Sequence, residues 1–169
     1  MTESDAAISA ELFATLEARR AAGDRVVFTN GCFDLLHPGH VASLRAARAL
    51  GDLLVVGLNG DGSVRLLKGP GRPVLPAAAR AELLRELRCV DHVVVFDGST
   101  PIDVIRGLRP DVYVKGADWR DRPLAEAELV REQGGEIAFI DLVSDYSTTA
   151  IVESIRAVPL SDGETPDAN

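Results

Sequence analysis

Apolar residues follow two alternating rhythms along this chain. Short, nearly continuous runs rich in valine and leucine occur at 24–29 (DRVVFT), 53–58 (LLVVGL), 92–96 (HVVVF), 111–114 and 136–140. Runs of this length and composition predict strands buried on both faces. Between them, apolar positions recur every three or four residues. That spacing predicts helices over 9–22, 77–88, 101–108, 124–133 and 149–157. A further helix begins at Pro38, carries Val41, Leu44, Ala47 and Leu50 on one face, and stops at Gly51.

Strands alternating regularly with helices imply an α/β fold. The expected architecture is a single Rossmann-like, doubly wound, parallel five-stranded sheet with helices on both faces. One domain is expected over 1–160, followed by a disordered acidic tail, SDGETPDAN, at 161–169. Ligands of such sheets bind beyond the carboxyl ends of the strands. The informative loops are therefore 30–39, 59–75, 115–121 and 141–148.

Composition narrows the function. No apolar run approaches the roughly 20 residues needed to cross a bilayer, and the acidic start MTESDAAISAELF lacks a signal-peptide pattern. A cytoplasmic protein without membrane association is expected. Only two cysteines occur, Cys32 and Cys89, so neither a disulfide framework nor a four-ligand zinc site is expected from one chain. A net charge of -8 argues against coating nucleic acid, which needs an excess of Lys and Arg against phosphates. Small anionic ligands need only a local basic cluster, and Lys68, Arg72, Arg80 and Lys115 supply candidates.

The loop after the first strand holds Asn30, Gly31, Cys32, Phe33 and Asp34, then His37, Pro38, Gly39 and His40. Gly39 lets a phosphate approach the backbone, and the helix that starts here offers free amides and a positive dipole end. Two histidines at that end can donate ring N–H bonds to phosphate oxygens and stabilise charge that develops during transfer. Two other readings exist: His37 as a simple helix cap with His40 a polar first-turn residue, and a zinc site, for which only Asp34 and Cys32 lie nearby. Cys32 reads as a small half-buried side chain, not a nucleophile.

Four blocks then take on meaning: TNGCFDLLHPGH (29–40), LNGDGSVRLLKGPGRPV (58–74), DVYVKGADW (111–119) and DYSTTAI (145–151). Together they resemble the HxGH nucleotidyltransferase superfamily. Within it they are most similar to the D-glycero-D-manno-heptose 1-phosphate adenylyltransferases, the enzymes that make ADP-heptose. The resemblance implies transfer of AMP from ATP to a sugar 1-phosphate with release of pyrophosphate. Magnesium would accompany the ATP, held by ligand oxygens and water, with no protein ligand assigned.

The resemblance also implies roles. His37, His40 and Lys68 would be catalytic. Asn30, Gly31, Cys32, Phe33, Asp34, Gly39, Lys115, Gly116 and Asp118 would surround the nucleotide, and Ser147, Thr148 and Thr149 would hold its β- and γ-phosphates. Arg72 would bind phosphates of either substrate. Asn59 and Asp61 can hydrogen-bond sugar hydroxyls or serve as a turn and helix cap. Arg80 either reaches the same cleft or is a surface charge. Trp119 packs over the site or is half-buried structure.

Competing functions are a cytidylyltransferase for glycerol 3-phosphate, an adenylyltransferase for phosphopantetheine or nicotinamide mononucleotide, and a non-catalytic nucleotide-binding domain. A dinucleotide-dependent oxidoreductase would need a G-x-G-x-x-G turn where this chain has histidines. Many heptose adenylyltransferases are fused to a sugar kinase; a chain of this length is expected to act without one, with room for a homodimer.

Overall fold

The computed structural model describes residues 8–141 and 146–158. The expected tail at 161–169 lies outside those residues, as does Asp145 of the last block. Five strands, β1 (Val26–Gly31), β2 (Leu53–Asn59), β3 (His92–Phe96), β4 (Val112–Gly116) and β5 (Glu136–Ile140), form one sheet in the order β3-β2-β1-β4-β5. Every neighbouring pair is parallel. The helices are α1 (Ala10–Ala21), α2 (Pro38–Arg48), α3 (Asp61–Lys68), α4 (Ala77–Arg85), α5 (Ile102–Leu108), α6 (Ala127–Glu132) and α7 (Thr148–Ala157), with a 3-10 turn at Ala117–Trp119.

Alternate side chains of each strand enter opposite cores. Val26 and Phe28 join Leu53, Val55 and Tyr113 against Leu16 of α1, Ile105 and Leu108 of α5, and Val130 of α6. Val27 joins Leu54, Val56 and Val114 against Leu44 and Ala47 of α2 and Ala81 and Leu84 of α4. With both faces of the central strands β1, β2 and β4 covered, they have no polar side to show, which is why their sequences read as continuous apolar runs.

Two expectations need adjustment. β1 runs to Gly31, because Asn30 and Gly31 continue the ladder opposite Gly57 and Leu58. The stretch 59–75, read as loop, contains α3: its first turn carries Asp61, Val64 is fully buried beneath it, and Gly69 ends it at φ +89°.

The amino ends of the strands are tied by a repeated device. Asp52 accepts from the Arg25 amide, Asp91 from Leu54 and Asp111 from Val26, each at 2.7–2.9 Å. Each aspartate stands just before one strand and binds at the start of its neighbour. At the carboxyl ends, chain direction across the sheet reverses between β1 and β4, and a crevice opens there. Among the described residues no helix is long and apolar enough to cross a membrane.

Candidate active site

The first βα turn is shaped from within. Phe33 adopts a left-handed φ of 42°, a costly conformation for an aromatic residue, and its ring folds back over Gly31. A Cβ at Gly31 would sit 3.0 Å from Phe33 Cε2, so glycine is what lets the ring lie there. Phe33 then meets His40 edge-on, with centroids 5.2 Å apart. His40 in turn stacks on His37 at 3.7 Å, and His37 faces Tyr146 on its other side at 6.4 Å.

His37 is both a cap and a site residue. Its Nδ1 accepts from the His40 amide at 3.3 Å at the start of α2, so Nδ1 carries no proton and the neutral ring bears its hydrogen on Nε2. Among the described residues no acceptor takes that hydrogen, which leaves it to a ligand. Burial lowers the His40 pKa to about 4, and the neighbouring His37 pushes the same way against the Leu35 carbonyl. Burial also lowers the pKa of His37. Both rings are therefore neutral N–H donors near pH 7 until an anion arrives.

Around them lies a cleft of about 840 Å³, within the range that holds small ligands. Its floor is Asn30, Gly31, Cys32, Phe33 and Asp34, with His37, Gly39 and His40 at the start of α2. On the β2 side it is lined by Asn59, Lys68 and Arg72, together with Ser99 and Thr100. The β4 side contributes Lys115, Trp119 and Glu126, and the start of α7 adds Tyr146, Ser147, Thr148 and Thr149.

Each side is held by identifiable bonds. Asp34, 5% exposed, accepts from Arg72 Nη1 at 2.6 Å and from the amides of Val74 and Leu75 at 2.6 and 3.3 Å, clamping the segment after α3 onto the first turn. Lys115 Nζ donates to Asn30 Oδ1 at 3.3 Å, the same oxygen that accepts from Tyr113, and lies 4.4 Å from the Trp119 ring centroid. Burial lowers the Lys115 pKa, while Glu126 and Asp118 oppose the shift. Ser147 caps α7 by accepting from the Ala150 amide at 3.0 Å, and Thr148 reaches the Leu35 carbonyl at 3.5 Å.

Four expected site residues lie outside the cleft lining. Arg80 is neither in the cleft nor on the surface. It is fully buried, and its guanidinium donates to the carbonyls of Leu75, Cys32 and Asn59 and to Asp61 at 2.6–2.9 Å. It braces three loops from behind. Asp61 uses one oxygen for Arg80 and for the Ala77 amide at the start of α4, so it ties α3 to α4 and does not cap its own helix, whose N-cap is Gly60. Gly116 ends β4 and Asp118 stands exposed in the 3-10 turn, both beside the cleft without lining it.

Sequence reasoning passed over Glu126, Tyr146, Ser99 and Thr100. Glu126 is 6% exposed although it belongs to a charged, helix-like stretch. Burial, with Glu126 adding, raises the Tyr113 pKa and keeps that phenol protonated. The charge of the surrounding sequence gave no sign of this burial. Among the described residues, no three His, Cys, Asp or Glu side chains are grouped to hold a metal ion.

A match to the cytidylyltransferase-like family covers residues 28–154, from β1 into α7. The chain belongs to that family. Among curated proteins it is 54% identical over 140 residues to the bifunctional protein HldE of Syntrophotalea carbinolica, covering 83% of this chain and 29% of that one. It is 55% identical over 148 residues to the bifunctional protein HldE of Methylococcus capsulatus, covering 87% of this chain and 31% of that one. The chain thus spans about a third of the length of these relatives. Among solved structures, a lipopolysaccharide core biosynthesis protein from Thermoplasma volcanium matches with a TM-score of 0.59 at 28% identity, covering 74% of this chain and all of that one. For a cytidylyltransferase-like chain, the stacked histidines at the start of α2 lie at the topological switch point, where this fold places its ligands.

Proposed function

We propose that this protein is a nucleotidyltransferase that transfers AMP from ATP to a sugar 1-phosphate, D-glycero-D-manno-heptose 1-phosphate, giving ADP-heptose and pyrophosphate. The observation that carries the reading is the stacked His37–His40 pair, with Nε2 of His37 unpartnered among the described residues, in one cleft with Lys68, Arg72 and Lys115. The family and the identity to HldE proteins support the chemistry, and the KGPGRP and VKGADW blocks support the heptose substrate.

A phosphate oxygen of the sugar attacks the α-phosphorus of ATP, forming the new P–O bond while the bond to the β-phosphate oxygen breaks and pyrophosphate leaves. The nucleophile is already ionised, so no general base is required. His37 and His40 donate hydrogen bonds to the α-phosphate as charge develops on its oxygens, and Lys68 offsets charge on the departing pyrophosphate. Lys115 and the Ser147–Thr149 segment hold the triphosphate, and Arg72 the acceptor phosphate. Holding two anions in line removes much of the entropic barrier. Magnesium bound through phosphate oxygens and water would spread the triphosphate charge; among the described residues the acidic side chains lining the cleft are Asp34, already committed to Arg72, and Glu126.

The test is pyrophosphate release with magnesium across ATP, CTP, GTP and UTP, each paired with heptose 1-phosphate or glycerol 3-phosphate. Turnover with ATP and the heptose phosphate, reduced at least about a hundredfold by His40→Ala, is the expected result. Turnover only with CTP and glycerol phosphate would replace the substrates and keep the mechanism. ATP binding without turnover of any pair would leave a nucleotide-binding domain.

A further inference from the structure

Asn59 closes β2 and is 3% exposed, yet it lines the cleft. Its Nδ2 donates to Ser63 Oγ at 2.8 Å, and Ser63 Oγ donates to the Gly98 carbonyl at 2.9 Å. A hydroxyl has one hydrogen and a carbonyl can only accept. Ser63 therefore gives its hydrogen to Gly98 and must receive one from Asn59. This sets the amide's orientation: the nitrogen points to Ser63, which leaves the oxygen for the cleft. Among the described residues no protein donor reaches Asn59 Oδ1.

The surroundings hold that arrangement rigid. The Asn59 carbonyl accepts from Arg80 Nη1 at 2.8 Å. The next residue, Gly60, donates to the Phe96 carbonyl at 2.8 Å, and a Cβ there would lie 2.0 Å from Asp97 Oδ1. The start of α3 is thus pressed against the end of β3, with Ser63 2% exposed between them. A neutral acceptor fixed beside the cations of Lys68 and Arg72 and the hydroxyl residues Ser99 and Thr100 complements a hydroxyl hydrogen, not a phosphate.

We propose that Asn59 recognises the acceptor by accepting a hydrogen bond from one of its sugar hydroxyls through Oδ1, and that Ser63 is a positioning residue that fixes this polarity. The inference rests on the sugar-phosphate reading above, with the β2 side of the cleft taken as the acceptor side.

Discrimination between acceptors tests it, because a purely structural role lowers turnover of all acceptors alike. With the full chain, magnesium and ATP, kcat/KM is measured for heptose 1-phosphate and for each of its monodeoxy analogues. The protein should prefer the parent over one analogue by roughly tenfold. Ser63→Ala should compress that ratio to below about threefold, and Ser63→Thr, which keeps the hydroxyl, should restore it. Should Ser63→Ala fail to fold by circular dichroism, Asn59→Ala carries the test: it leaves the Ser63–Gly98 bond in place and should bring the ratio near one. A ratio that stays at the parent value in Asn59→Ala or in a folded Ser63→Ala overturns the inference, as does an active protein that ignores every deoxy change. No turnover of any sugar phosphate overturns the underlying reading, and the inference with it.

Discussion

Asp34 accepts a hydrogen bond from Arg72 at 2.6 Å, and its other carboxylate oxygen accepts from the Val74 amide at the same distance. One side chain in the first βα turn thereby fixes the segment that follows α3.

Asp34→Ala should release that segment. The loss of a largely buried charged pair should cost about 2–3 kcal/mol in urea unfolding and should speed limited proteolysis between Lys68 and Val74. Unchanged protection of that segment would show that the clamp does not order it.

His40 links stability to pH. With a folded-state pKa of about 4 against an ordinary 6.5, the unfolded chain binds more protons between those values. Stability therefore rises with pH through that window and is lost as pH falls from about 6.5 toward 4. The difference between the native protein and His40→Asn in urea midpoint should widen in the variant's favour on acidification. Parallel pH profiles would refute the depressed pKa.

Arg80→Met should destabilise by about 3–5 kcal/mol, since it leaves Asp61 without its cation and three carbonyls without their donor. Thermal unfolding measures this. A shift of only a degree or two would mean that water readily replaces the guanidinium.

Trp119 is the sole tryptophan, so its emission reports on the cleft without ambiguity. Lys115 rests 4.4 Å from its ring centroid, and an arriving triphosphate should draw the ammonium away. ATP should change the emission, and Lys115→Ala should weaken ATP affinity by roughly tenfold or more. A silent titration in a protein that binds ATP by calorimetry would place the nucleotide elsewhere.

Strands and most helices were legible because burial on both faces leaves a strong apolar signature, as in LLVVGL of β2. The HPGH turn was legible because few other contexts need two histidines around a proline and a glycine at a helix start. α3 was hidden by the run Asn-Gly-Asp-Gly-Ser, from the end of β2 into its first turn, which locally favours a turn; burial of Val64 overrides that preference. Arg80 was misjudged because charge usually means solvent or ligand, whereas here three carbonyls and the Asp61 carboxylate converge on it. Glu126 and Tyr146 reach the cleft from segments far along the chain, and no local pattern encodes that convergence.

The aspartates at 52, 91 and 111 lie at the rim opposite the cleft and lock strand register there. Alignment of the sheet is therefore anchored at the end where no chemistry is proposed. Such a division separates the two demands on the sheet: the three carboxylates keep β1 to β4 from slipping, so contacts at the cleft end can change without disturbing strand alignment.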